Sequence, residues 1–167
     1  MLGVEIRKPQ GYGALMWLIP SAVIVVLDQI TKIWASRSLE LYESINLLPF
    51  LNFRLLHNPG AAFSFLADAG GWQRWFFISL TTVVSIGIIA WLLYLPRRGE
   101  GRLACGLALI LGGAVGNLID RIAYGYVVDF IDVFYGDWHW PAFNIADSAI
   151  TVGAVLVIID SFMAPRR

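Results

Sequence analysis

Charge is scarce in this sequence: Asp, Glu, Lys and Arg make up 14% of its 167 residues, against 58% hydrophobic ones. A mean hydropathy of +0.69 lies far from the balance of a soluble domain. Twelve basic residues offset twelve acidic ones, so no surplus of positive charge exists from which to build a nucleic-acid surface. Cysteine is nearly absent. Cys105 stands alone in the apolar run LACGLALILGG, which excludes an intrachain disulfide and leaves the residue as packing. Histidine is limited to His57 and His139, and neither HExxH nor a pair of CxxC motifs occurs. The sequence therefore carries no metal signature and calls for no cofactor. It also lacks a GxSxG elbow and an SxxK dyad, and Ser64 and Ser148 have no evident histidine base, so a serine hydrolase is unsupported.

Long apolar runs are what the chain has in quantity. Crossing about 30 Å of hydrocarbon takes about twenty helical residues, and four stretches qualify, at about 13–34, 73–95, 103–122 and 143–163. The first has the outline of a signal peptide, with Arg7 and Lys8 before the core and small Ala35 and Ser36 after it. Asp28 and Lys32 are out of place in a signal peptide, so the segment reads as a retained span. Arg7, Lys8, Arg97, Arg98, Arg102, Arg166 and Arg167 all fall on one side of this topology. The segment between the third and fourth spans carries Asp129, Asp132 and Asp137 and, after Arg121, no basic residue. Basic residues favour cytoplasmic flanks, which places both termini in the cytoplasm.

Depth follows from the helical rise. At about 1.5 Å per residue, Asp28 lies about 21 Å from the cytoplasmic end of the first span, and Asn117 and Asp120 lie about 21 and 26 Å along the third. Asp147 lies about 6 Å below the outer end of the fourth, which runs the other way. Three spans thus bring polar groups to one outer-leaflet layer, and ionisable groups at such a depth are functional candidates. Asp28 and Lys32, four residues apart, can neutralise each other, and Asn117, Asp120 and Arg121 can share a helix face. Those five read as support. Asp160, at the other end of the last span and close to Arg166, reads as a solvated or paired end residue.

The outer connection, about 36–71, has a different pattern. Apolar and polar residues alternate in Leu51-Asn52-Phe53-Arg54-Leu55, as in a half-buried strand, and the preceding SINLLPF offers a partner. A small antiparallel sheet is expected on the outer surface. Asn58-Pro59-Gly60 forces a turn, after which Ala61 to Phe65 run toward the second span as a short helix or loop. Trp72, Trp75, Trp138 and Trp140 suit an interfacial aromatic belt. The expected fold is an integral membrane, mainly α protein: four transmembrane helices, a small antiparallel sheet and a short helix or loop outside, forming one domain over 1–167.

Asp129 and Asp147 are the catalytic candidates. Eighteen residues separate them (147 − 129), enough for the chain to leave the bilayer and return. Two carboxylates converging on one water can divide the work of hydrolysis, the ionised one taking a proton and the protonated one giving it. Like charges at close range cannot both ionise cheaply, so such a pair titrates as a unit. Spacing alone leaves three readings open: an aspartic peptidase, a small proton-linked membrane transporter and a non-catalytic scaffold. A transporter usually shows repeated halves and midplane binding groups, whereas here no convincing internal repeat is found and the polar groups gather near one surface.

Five motifs carry a family resemblance: LDQITK at Leu27 to Lys32, NPGAAFSFLAD at Asn58 to Asp68, GGAVGNLIDR at Gly112 to Arg121, VVDF at Val127 to Phe130 and FNIADS at Phe143 to Ser148. Over nearly its whole length the chain resembles the lipoprotein signal peptidases, the type II signal peptidases of bacteria. That resemblance implies an aspartic endopeptidase of the bacterial cytoplasmic (inner) membrane, with its active site near the periplasmic face. Its substrates would be prolipoproteins, cut just before a cysteine that already carries a diacylglyceryl group, with membrane lipids as partners. It implies Asp129 and Asp147 as the catalytic dyad. Asn58, Gly60, Asn117, Arg121 and Asn144 match positions near substrate backbone or lipid, and Asp28, Lys32 and Asp120 match supporting polar positions. Sensitivity to globomycin-type cyclic peptides is implied as well. The one departure is Pro59, at the position between Asn58 and Gly60 that varies in the family; a proline there stiffens the loop and leaves the match of Asn58 in place.

Overall fold

The computed structural model describes residues 12–60, 70–96 and 99–163. A 3-10 turn at Leu15–Trp17 leads into helix α1 (Leu18–Ser38). Strands β1 (Ser44–Leu48) and β2 (Leu51–Asn58), helices α2 (Trp72–Tyr94) and α3 (Gly101–Ala123), strands β3 (Val127–Tyr135) and β4 (Trp138–His139), and helix α4 (Ile145–Met163) follow. The four helices are each long and apolar enough to span a membrane, and their ends fall within a few residues of the expected spans, α1 excepted, which starts after the 3-10 turn and runs on to Ser38. Of the basic residues that set the expected orientation, only Arg102 lies among the described residues, and the run Ala61 to Phe65 lies outside them.

Helix α3 is the centre of the bundle. In its apolar window 61% is buried, against 17% in the windows of α1 and α4 and 22% in that of α2. The other three helices turn Ile19, Val23, Val83, Val152 and Ile158 outward, where hydrocarbon would cover them. Since lipid is as apolar as a leucine side chain, close packing rather than hydrophobicity holds such helices together, and small residues permit it. Gly106 of α3 and Gly153 of α4 are reciprocal in this respect: a Cβ on either would come within 2.8 Å of the other's carbonyl oxygen. Ser21 adds a bond across the bundle, its Oγ donating to the Ala108 carbonyl at 2.8 Å.

The sheet caps the end of the bundle where α1 and α3 finish. Its four antiparallel strands lie in the order β1-β2-β3-β4. The β1–β2 hairpin is the one expected from alternation. Strands β3 and β4 were not expected: the segment between the third and fourth spans holds a nine-residue strand that pairs along β2. The amides of Phe130 and Ile131 both donate to the Phe143 carbonyl, at 3.1 and 2.9 Å, and the β2–β3 register shifts between Phe53 and Leu56. Such bulges bend a strand and re-aim its side chains. Phe53, Leu55, Val128 and Phe130 close over Ala35 and Leu39 of the α1 end, seating the sheet on the bundle. Burial of this kind contributes about 1.5–3 kcal/mol per large side chain.

Candidate active site

Asp129 and Asp147 come from different layers. Asp129 is the third residue of β3 and is 3% exposed. Its position opposite Leu56 puts it two residues along the ladder from Asn58, the last residue of β2, whose Nδ2 donates to Asp129 Oδ2 at 3.1 Å. Asp147 lies in the first turn of α4. Asn144, directly before that helix and fully buried, joins the two. Its Nδ2 donates to Asp129 Oδ1 at 2.8 Å, while its backbone N–H donates to Asp147 Oδ2 at 3.2 Å and its Oδ1 accepts the Asp147 N–H at 2.9 Å. The last two bonds form a reciprocal capping box, which satisfies donors that the start of a helix leaves unpaired. Asn117 of α3 completes the set, its Nδ2 donating to Asp147 Oδ1 at 2.8 Å.

Both carboxylates line one cavity of about 500 Å³, together with Asn58, Asn117 and Arg121. Toward the bundle its wall is α4, through Ile150, Thr151 and Val152. Burial, and then the negative charge of Asp147, push the Asp129 carboxyl up from 3.8 to about 7, against the opposing pull of the Asn58 and Asn144 amides and of Lys32. A buried carboxyl facing another carboxylate is an arrangement that retains a proton near neutral pH.

Beneath the pair runs the polar layer anticipated from depth. Lys32 Nζ lies 2.8 Å from Asp28 Oδ2 and 2.9 Å from Asp120 Oδ2, and donates to Asn117 Oδ1 at 2.9 Å. All three ionised side chains are 3% exposed or less. Asp28 Oδ1 accepts the Ala146 N–H at 2.9 Å, a further unpaired donor at the start of α4. Asp120 Oδ2 accepts the Val128 N–H at 3.1 Å and so fixes β3 beside the Asp129 position. Arg121 reaches the other way: its Nη2 donates to the Gly60 carbonyl at 2.8 Å, and its guanidinium lies over the Phe77 ring. Gly60 in turn donates its N–H to Asn58 Oδ1 at 3.0 Å, a side-chain turn that sets the loop at the site. Every expected site residue except Gly60 thus has a side chain in one connected network, and Gly60 joins through its backbone.

Other participants had gone unrecognised. Gln29 Nε2 donates to Asp120 Oδ1 at 2.9 Å and to Asp28 Oδ2 and the Gly116 carbonyl at 3.2 Å. Its place beside Asp28 in an apolar span was the available signal. Asp132, 2% exposed, accepts from Asn52 Nδ2 at 3.0 Å and faces His139 Nδ1 at 2.8 Å. No local pattern marks that group, because it depends on strand pairing. Asp160 pairs with Arg102 at 3.1 Å, while Arg166 lies outside the described residues.

This architecture is shared with known membrane enzymes. Two solved structures, each described as a bacterial membrane enzyme, superpose with TM-scores of 0.78 and 0.75 at 28% and 30% identity. Each alignment covers 96% of this chain, with 98% and 99% of the respective neighbour. The family model for signal peptidase II matches residues 21–163. A lipoprotein signal peptidase of Acinetobacter baumannii is 58% identical over 153 residues, 92% of this chain and 86% of the relative. One from Cupriavidus necator is 55% identical over 162 residues, 96% and 91% of the two chains. The fold is therefore that of a multi-pass membrane enzyme, and its class is a peptidase, not a transporter. The chain belongs to the signal peptidase II family.

Proposed function

We propose that this protein removes signal peptides from diacylglyceryl-modified prolipoproteins, cutting just before the lipidated cysteine, with Asp129 and Asp147 as a water-activating dyad. The observation that carries the proposal is the convergence of those two carboxylates, one from the sheet and one from a membrane helix, on a single cavity held by the Asn144, Asn58 and Asn117 amides. The ionised carboxylate takes a proton from water as its oxygen adds to the scissile carbonyl, and the protonated carboxyl gives its proton to the carbonyl oxygen. Collapse of the resulting diol returns a proton to the amine as the C–N bond breaks. Burial favours Asp129 as the residue that carries the proton, leaving Asp147 as the base.

The same reading assigns the surrounding groups. Asn58, Gly60, Asn117, Arg121 and Asn144 hold substrate backbone and the dyad, and Asp28, Lys32 and Asp120 support them. A substrate anchored by acyl chains presents its scissile bond at a fixed depth, so the bilayer itself supplies positioning. The protein then resides in the bacterial inner membrane with both termini cytoplasmic and the sheet periplasmic. A cyclic peptide of the globomycin type competes for the cavity. The test is to incubate purified protein with a lipidated and an unlipidated prolipoprotein, with and without globomycin. Cleavage is expected only of the lipidated form and only without inhibitor; equal cleavage of the unlipidated form would refute the proposal.

A further inference from the structure

Asp129 also faces a second hollow. On the sheet side a groove of about 510 Å³ is lined by Tyr42, Arg54, Leu56, Asp132 and His139, and it shares Asn58, Asp129, Trp140, Pro141 and Ala142 with the cavity described above. Asp129 is among the residues that line both spaces. They differ in character: one runs along the membrane helix α4, the other along the outer sheet and through a set of polar side chains.

Arg54 is the uncommitted group in this groove. Its Nε is shielded from solvent and has no hydrogen-bond partner among the described residues. The neighbouring Asp132 is occupied by Asn52 and His139 and makes no ion pair with Arg54. Shielded donors without an acceptor are costly, and turning the guanidinium onto a bound acceptor in the groove removes that cost.

We infer that this groove is the subsite for the first residues on the mature side of the scissile bond, with Arg54 donating to their backbone carbonyl oxygens. The inference rests on the proposed peptidase reading. A chain cut at Asp129 must leave in two directions. The signal peptide carries an apolar core of about 7–15 residues and belongs on the α4 side, which leaves the sheet side for the hydrophilic mature segment. An extended peptide lying along a sheet is well served by a planar donor fork.

The test compares lipidated substrates that carry one, three or six residues after the modified cysteine. With the wild-type enzyme, kcat/KM is expected to rise about tenfold from the shortest to the longest, the scale of one hydrogen bond from a charged donor. The R54A variant should abolish most of that length dependence, and R54K should retain part of it. If wild type cleaves all three substrates equally, or if R54A keeps the wild-type ratio of long to short, the subsite assignment fails while the peptidase reading stands. The wild-type length series needs no variant to fold. Failure of the wild-type enzyme to cleave any lipidated substrate would instead overturn the peptidase reading itself.

Discussion

Asn144 and Asp147 hold one another through two reciprocal bonds, Asp147 N–H to Asn144 Oδ1 at 2.9 Å and Asn144 N–H to Asp147 Oδ2 at 3.2 Å. A helix cap and a proposed catalytic group are here one piece of structure. The Asn144 amide that remains free of the cap is the one that donates to Asp129. Replacing Asn144 with Ala should therefore remove the side-chain cap on the Asp147 N–H and the amide donor to Asp129 together, while the backbone N–H donated to Asp147 remains. The expected loss is about 1–2 kcal/mol of stability, read by thermal unfolding in detergent, with a fall in kcat larger than that destabilisation explains. An unchanged kcat in a folded N144A protein would argue against the bridging role.

Replacing either Asp129 or Asp147 with Asn should lower cleavage by at least about 10²–10⁴-fold, the usual scale of general acid–base assistance. Expression and membrane insertion should be retained. Substantial activity in either variant would remove that residue from the dyad.

The pH dependence follows from the burial of Asp129. Its carboxyl is pushed from 3.8 up to about 7, so folding favours the protonated form. That contribution to stability is fully present below about pH 4 and is lost as pH rises through about 7, an effect on the scale of a few kcal/mol. Thermal unfolding of the wild type should drop over that window more than that of D129N. Cleavage should fall on the alkaline side with a midpoint near 7, as the dyad loses its shared proton, and fall again in acid when both carboxyls are protonated. A flat profile, with chemistry shown to limit the rate, would contradict the shared-proton mechanism.

Gly116 leaves room for Asp28. A Cβ there would lie 2.6 Å from Asp28 Oδ2, and Asp28 has no open side to move into, being bonded to Lys32, Gln29 and the Ala146 N–H. G116A should cost about 1–3 kcal/mol, the range for overpacking a tight interior, and should loosen the start of α4. Wild-type unfolding of G116A would show that the layer yields more readily than its bonds suggest.

Lys32 is the cation between two buried acids. Converting it to Met leaves Asp28 and Asp120 facing each other uncompensated, for which about 3–5 kcal/mol is expected. Adding D120N to K32M should recover part of the loss, and that recovery distinguishes charge from packing. No recovery would assign the damage to altered packing around residue 32 and the lost bond to Asn117.

The helices and the depth of the polar layer could be read from sequence because both depend on local quantities, hydropathy and rise per residue. Asp28, Asn117 and Asp120 share one layer as depth counting anticipated, and Lys32 joins it through the i,i+4 pairing with Asp28. The β1–β2 hairpin was legible through alternation in LNFRL. Strand β3 was not. In VVDFIDVFY the bulge at Phe130 and Ile131 breaks the period of two, and the strand is buried for most of its length, so no alternation survives. With β3 unread, the contact of Asn58 with Asp129 was unreadable too, since it arises from pairing across 71 residues of chain. The resemblance named Asn58; only the strand register gives it a reason to be there.

Helix α4 carries Asp147 among lipid-facing residues, and strand β3 carries Asp129 in a sheet outside the bundle. On the proposed mechanism neither layer holds both carboxyls. A fragment freed from the bilayer would take one carboxyl and abandon the other, so on this reading the chemistry is not severable from the membrane. Wherever this protein cuts, it can do so only while sheet and helices remain seated together, which makes the seam between them the place where activity is made or lost.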